Sequence, residues 1–249
     1  MKPTIVVVLL VLLLSGCATY QTPGAGVSIG DLTQASPEIA EIMQREPAAE
    51  FPARIATVRI QATGYVAGTT HCHGQGAFCV VTARDLEEDK DYERLSRLAG
   101  VADIGRVTRL LVPSSVSGIE DLRRAAAGLK ADIILLYSID THFVVEGQSL
   151  GPLSVVSLGM IPNKRAHVTS TASAALIDVR SGFIYGVAES TAADDQRTTV
   201  WSTHQTIERA RLGTERQAFH ALIDEIEVLW KGIVNTHLEM SLTRRLRAG

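Results

Sequence analysis

The chain has 249 residues, of which 46% are hydrophobic, 20% charged and 5% aromatic. That composition excludes a wholly disordered chain, a collagen and a multi-span membrane protein, and the length suffices for one domain with a real core plus appendages. With 24 Lys+Arg against 27 Asp+Glu the net charge is −3, which gives no electrostatic basis for a nucleic-acid partner. The N-terminus carries Lys2 and then an unbroken aliphatic run over 5–14. The run is too short for a transmembrane helix, which needs about 20 residues, and matches the apolar region of a signal peptide. It also contributes to the mean hydropathy of +0.14.

Leu14-Ser15-Gly16-Cys17 follows directly. This stretch resembles the lipobox of bacterial lipoproteins, where cleavage falls just before the cysteine, its thiol is joined to diacylglycerol and its amine is then acylated. One acyl chain anchors marginally, whereas two or three hold stably, at about 0.8 kcal/mol per buried methylene. Ala18 stands where an aspartate would imply retention in the inner membrane. The resemblance therefore implies loss of residues 1–16 and an outer-membrane lipid anchor at Cys17, facing the periplasm.

Cys72 and Cys79 remain, an even pair for an oxidising compartment. A disulfide between them closes a short glycine-containing loop, worth roughly 2.5 kcal/mol by chain entropy. Free thiols and a metal site built from His71, Cys72, His73 and Cys79 are the alternatives. The metal reading suffers from spacing, because zinc ligand pairs usually lie C-x₂₋₄-C or H-x₃₋₅-H apart and neighbouring strand residues point to opposite faces.

Residues 17–52 read as a lipidated tether. Within it Ser36-Pro37 gives a cap and a first-turn proline for a short helix with Ile39, Ile42 and Met43 on one stripe. Residues 53–249 read as a single α/β (α+β) periplasmic domain. Strands are expected over 54–60 and 77–82, paired as a hairpin pinned by the disulfide. A helix is expected over 85–98, its early acids lying on a solvated face, then a strand over 106–112 stopped by Pro113. A second helix follows over 119–129, with Ser117 as cap and Glu120 as its capping-box partner. Residues 131–145 are the strongest strand signal, apolar without alternation around Ile133-Ile134-Leu135-Leu136-Tyr137, as in a strand buried on both faces. Strands over 168–179 and 183–192 flank the turn Arg180-Ser181-Gly182. Residues 200–247 form one long helical pattern, expected to break at Gly213, with a core stripe through Phe219, Leu222, Ile226 and Trp230. The expected architecture is one central mixed sheet of about five strands, two short helices and a long C-terminal helix packed on it.

Two stretches, Gly128-Leu129-Lys130-Ala131-Asp132-Ile133-Ile134 and Ala175-Leu176-Ile177-Asp178-Val179-Arg180-Ser181-Gly182-Phe183-Ile184, sit in this order of elements. Together with the lipobox they resemble the CsgG-like periplasmic domain of curli-secretion-channel and penicillin-binding-protein-activator lipoproteins, which shares its fold with the N-terminal domain of TolB. The likeness spans roughly 53–240. The Cys72–Cys79 hairpin is an addition. A secretion pore also needs long amphipathic strands of about 9–11 residues per crossing. The one candidate insertion, 147–166, is broken by Gly151, Pro152, Gly159 and Pro162, so channel activity is not carried over. That insertion is nevertheless apolar through Leu150, Leu153, Val155, Val156, Leu158, Met160 and Ile161. Long apolar loops are unusual. It either folds over its own sheet or forms a surface for a protein or membrane partner.

No catalytic motif is present among the nucleotide, hydrolase and metalloprotease patterns. Asp194-Asp195 read as turn acids after a strand, and His142, His167, His204, His220 and His237 as surface or capping histidines. Arg244, Arg245 and Arg247 complement a helix C-terminus. The expectation is a non-catalytic envelope lipoprotein without a cofactor or metal, binding an envelope protein or itself. A periplasmic metal-dependent or hydrolytic enzyme using the loop 71–79, or an oligomeric secretion-channel component, are the rivals.

Overall fold

The computed structural model describes residues 37–67, 70–147, 164–198 and 203–248. Helix α1 (Pro37–Met43) lies in a unit of its own, and its apolar residues Ile39, Ile42 and Met43 are exposed. The second unit begins at Gln44, so the expected boundary at Ala53 falls inside it. Ala49 is buried in its core and Phe51 stacks beside Trp230 at 5.6 Å.

Strand β1 (Ala53–Gln61) is an inner strand of the sheet. Ile55, Thr57 and Arg59 point to one face and Ala56 and Val58 to the other, and all five are buried. The short strands β2 (Val66–Ala67), β3 (Thr70–His71) and β4 (Gln75–Gly76) follow, then β5 (Cys79–Val81), which pairs antiparallel with β1 as expected for a hairpin. Helix α2 (Asp89–Ser96), β6 (Val101–Arg106), β7 (Ser115–Val116) and helix α3 (Ile119–Gly128) lead to the long strands β8 (Ile133–Gly147), β9 (Lys164–Asp178) and β10 (Ile184–Thr198). Helix α4 (Thr203–Ala248) closes the order. The sheet runs β10-β9-β8-β1-β5, with β6 also on β1. Because β6 pairs with Ala53–Thr57 and β5 with Arg59–Gln61, the two share one edge of β1. The sheet is thus five strands wide, mixed, with parallel β6, β1 and β8 and antiparallel β9 and β10.

The two faces have separate cores. On one, α2 and α4 cover Ile55, Ile133, Leu135, Leu176 and Ala172, with Phe219, Leu222, Ile223, Ile226 and Trp230 supplied by α4 at three- and four-residue spacing. On the other, Leu122, Ala125 and Ala126 of α3 cover Ala56, Val58, Ile134 and Val179. Asp178 fixes the β9–β10 turn: its Oδ1 accepts the backbone N–H groups of Arg180 at 2.8 Å and Ser181 at 2.9 Å, and Gly182 supplies a φ of 72°.

Several boundaries differ from expectation. The helix expected from residue 85 starts at Asp89, because Asp85 and Glu87 turn inward to the buried Arg59. Its acids are therefore not all on a solvated face; Asp91 is 1% exposed and accepts the Glu88 backbone N–H. The strand expected over 106–112 lies earlier, at Val101–Arg106. Val107 and Val112 are instead buried within the loop beneath α3, where β-branched apolar residues plug the core without pairing. Gly118, not Ser117, caps α3; the Ser117 N–H donates to Asp121 and Glu120 pairs with Arg123. Strands β9 and β10 outrun their expected ends, so Asp194 and Asp195 lie within β10 rather than after it. Helix α4 continues through Gly213. Its neighbours Arg211, Thr214 and Glu215 are buried and hold that turn in place.

Candidate functional site

The loop carrying Cys72 and Cys79 is closed by a disulfide, with Cα atoms 5.5 Å apart. Each sulfur is bonded to the other, which removes both from any metal-ligand set. His73 and Val80 exchange backbone hydrogen bonds at 2.7 and 2.8 Å, and β4 pairs with β7 through Gln75↔Ser115 and Gly76↔Val116. The loop is therefore tied on two sides. Among the described residues no group of three His, Cys, Asp or Glu side chains is arranged to hold a metal ion.

Strands β8, β9 and β10 build an arm. Pairing between β8 and β9 runs unbroken from Ile133↔Asp178 to Gly147↔Lys164, and β10 follows β9 to Thr198. Strand β1 leaves β8 at Arg59↔Tyr137, so the outer half of the arm is three strands wide. Gly147 and Lys164-Arg165-Ala166, expected in a loop, are strand. The apolar residues Leu150, Leu153, Val155, Val156, Leu158, Met160 and Ile161 lie outside the described residues, in the segment 148–163 that links the paired ends of β8 and β9.

One face of the arm is held by α4 through a buried polar network. Arg211 pairs with Glu208 and Glu215, each at 2.6 Å. Glu215 accepts the Thr141 hydroxyl at 2.9 Å, and Ser170 meets Thr214 at 2.9 Å. Burial alone would lower the Arg211 guanidinium; the hydrogen bonds and charges of Glu208 and Glu215 outweigh it and hold it above its ordinary value.

The opposite face is open. Ser138, Ser173, Ala175, Val187 and Glu189 border a groove of about 540 Å³ that Ile60 and Leu136 close at the root. Val187 is 71% exposed there, and Val144 is exposed further along β8 on the same face. Small polar pairs run along this face: Thr171 with Thr191 at 2.9 Å, Ser173 with Glu189 at 2.9 Å, and His167 with Asp195. Such a surface offers hydrogen-bonding groups between isolated apolar side chains.

A second polar cluster lies under α2. Arg59, its side chain 1% exposed, donates to Asp85 at 2.8 Å and stands 3.8 Å from Glu87. Tyr137 donates to Glu87 at 2.7 Å, Tyr92 meets Tyr137 at 3.3 Å, and the Arg106 guanidinium lies 3.6 Å from the centre of the Tyr92 ring. Burial raises the Tyr137 hydroxyl well above the ordinary phenol value, and the Glu87 carboxylate adds to it. Sequence reasoning missed this cluster. The signal was an arginine on the inward side of a β-branched strand.

The histidines are dispersed. His142 is exposed, His220 meets Asp91 at 3.0 Å at the start of α2, and His237 stacks on Phe51 at 4.6 Å. The side chains of His71, His204, Arg244, Arg245 and Arg247 lie outside the described set.

No family model and no curated protein matches the chain. Among solved structures it is similar to a Xanthomonas campestris protein of the DUF330 family (TM-score 0.39, 11% identity, 77% of this chain and 91% of that one). It is also similar to a neuraminyllactose-binding hemagglutinin homolog from Helicobacter pylori (TM-score 0.39, 8% identity, 79% and 95%). A third similarity is to the C-terminal domain of LpoB from Salmonella enterica (TM-score 0.25, 9% identity, 65% and 94%). These likenesses are partial overlaps of the chain trace and say nothing of function.

Proposed function

We propose that the chain is a non-catalytic lipoprotein of the bacterial envelope, anchored at Cys17 in the outer membrane and facing the periplasm, whose arm binds an envelope protein. The observation that carries this reading is the arm itself: three paired strands with one face fastened to α4 and the other bare, ending at an apolar connection. The lipobox supplies the address, and the disulfide suits an oxidising compartment. Hydrogen-bonding groups interleaved with apolar side chains on a bare sheet face support a binding role. The resemblance to CsgG-like lipoprotein domains points the same way, with another copy of the chain as the second form of partner.

The test is photo-cross-linking in cells from Val187 on the arm and from Leu153 and Leu158 in the segment that joins β8 and β9 in sequence, with Arg124 on the exposed side of α3 as control. One defined adduct from these three positions and none from Arg124 is the expected result. Equal, diffuse labelling from all four positions would overturn the proposal.

A further inference from the structure

The arm has an edge as well as a face. Strand β8 pairs with β1 only as far as Tyr137 but runs on to Gly147. Beyond Tyr137 its only strand partner among the described residues is β9. Two hydrogen bonds fix the direction of its backbone groups. Val179 donates its N–H to the Asp132 carbonyl, so even-numbered residues of β8 exchange hydrogen bonds with β9. Odd-numbered residues therefore turn their N–H and C=O groups away from β9. The Ile139 carbonyl does so, accepting Gln61 Nε2 at 2.8 Å where β1 has already parted from β8. Thr141 and Phe143 continue this outward row, and neither has a backbone partner on that side among the described residues.

A row of unanswered N–H and C=O groups along a sheet edge is a template for another strand. This one opens onto a cleft of about 750 Å³, bordered by Ile139–Phe143 of β8, by residues 61–67 and by the first turns of α4. The cleft is acidic, because Asp140, Glu208 and Glu215 outnumber Arg211. Asp140 is exposed and shares the open face with Ser138, while Thr141 turns to Glu215 on the α4 side. Acids thus stand on both sides of the edge. Phe143, 42% exposed, adds an apolar contact. The charge decides the occupant. A second copy paired edge to edge about a two-fold axis brings these acids near their own copies, which is unfavourable. The segment 148–163 carries no charged residue to set against them. A strand bearing lysine or arginine answers both the backbone row and the acids.

We propose that the edge of β8 at Ile139–Phe143 receives an extended, basic segment of a partner protein as an added strand. This deepens the binding role proposed for the arm and rests on it. Backbone hydrogen bonds to Thr141 and Phe143 supply affinity, and the acids of the cleft select cationic side chains.

The experiment is titration of the full chain in non-ionic detergent with fluorescent peptides of about eight residues, read by anisotropy. One peptide alternates lysine with threonine and a second alternates glutamate with threonine. A third is the lysine peptide N-methylated along its backbone, which keeps its charge and loses its donors. The lysine peptide binds about tenfold or more tightly than both others, and it slows hydrogen exchange at the Thr141 and Phe143 amides. Phe143→Pro removes one outward N–H at an edge position, where proline is tolerated, and weakens binding by about tenfold or more. The peptide comparison uses the unaltered protein and stands even if that variant misfolds. No binding of the lysine peptide up to about 1 mM overturns the proposal, and so does equal binding of its N-methylated form. Protection of the Thr141 and Phe143 amides before any peptide is added also overturns it, since a second copy or the chain itself then covers the edge. Cross-linking in cells reads the arm's binding role separately. A defined adduct there without peptide binding sinks the strand addition alone, whereas diffuse labelling sinks both.

Discussion

At the scale of the residue, the buried charges dictate more of this structure than their number suggests. Arg59 occupies the inward side of a central strand, where an unpaired guanidinium would be expelled, and it recruits Asp85 and Glu87 from the segment before α2. Replacing Arg59 by Met leaves two inward carboxylates without their cation and costs about 3–5 kcal/mol in denaturant unfolding. Adding Asp85→Asn and Glu87→Gln to that variant recovers part of the loss. Asp178 gives a pH-dependent counterpart. Burial pushes its carboxyl up, but backbone N–H groups of Ser181, Ala48 and Arg180 and the Tyr185 hydroxyl outweigh burial and hold it below its ordinary value. A carboxyl depressed in the folded state contributes stability above its unfolded value of about 3.9 and loses it as pH falls through the folded value. The difference in stability between the native chain and Asp178→Asn therefore shrinks as pH drops below about 4, measured by urea unfolding across pH.

At the scale of the element, Gly213 and the disulfide loop are the clearest cases. A glycine inside a helical pattern weakens it, and a break there is a reasonable expectation from sequence. Helix α4 runs on because Arg211, Thr214 and Glu215 on the buried side are locked to Glu208, Thr141 and Ser170. Gly213 itself is exposed and an added Cβ meets nothing within 4 Å. Gly213→Ala thus stabilises the protein by about 0.5–1 kcal/mol, seen as a rise in Tm. The disulfide acts on a loop held at both sides by backbone pairing. Replacing Cys72 and Cys79 by serine costs roughly 2.5 kcal/mol by chain entropy and leaves the sheet intact, so unfolding shifts to lower denaturant with far-ultraviolet dichroism unchanged.

At the scale of the whole molecule, the proposed address and the proposed surface fit one another. No helix among the described residues is long and apolar enough to cross a membrane. Under the proposed anchoring, attachment rests on acyl chains at Cys17. Cys17→Ala is expected to move the protein from the membrane pellet to the soluble fraction after cell lysis, checked by fractionation alongside a palmitate label.

The class of fold, the β1–β5 hairpin, the long central strand, the Arg180-Ser181-Gly182 turn and the C-terminal helix were legible in the sequence. Each rests on local information: periodicity, β-branching and turn chemistry act between residues close along the chain. The shift of β6, the later start of α2 and the length of β9 and β10 were not, because long-range pairing settles them. Val107 and Val112 carry strand propensity yet lie under α3, since β1 accepts Ala53–Thr57 partners only from Val101–Arg106. The candidate sites divide in the same way. The cysteine pair and the apolar run 147–166 are properties of composition and spacing. The polar cluster under α2 is not, because Arg59, Glu87, Arg106 and Tyr137 are distant in sequence and meet only when parallel strands and a crossing helix bring their side chains to one end of the sheet.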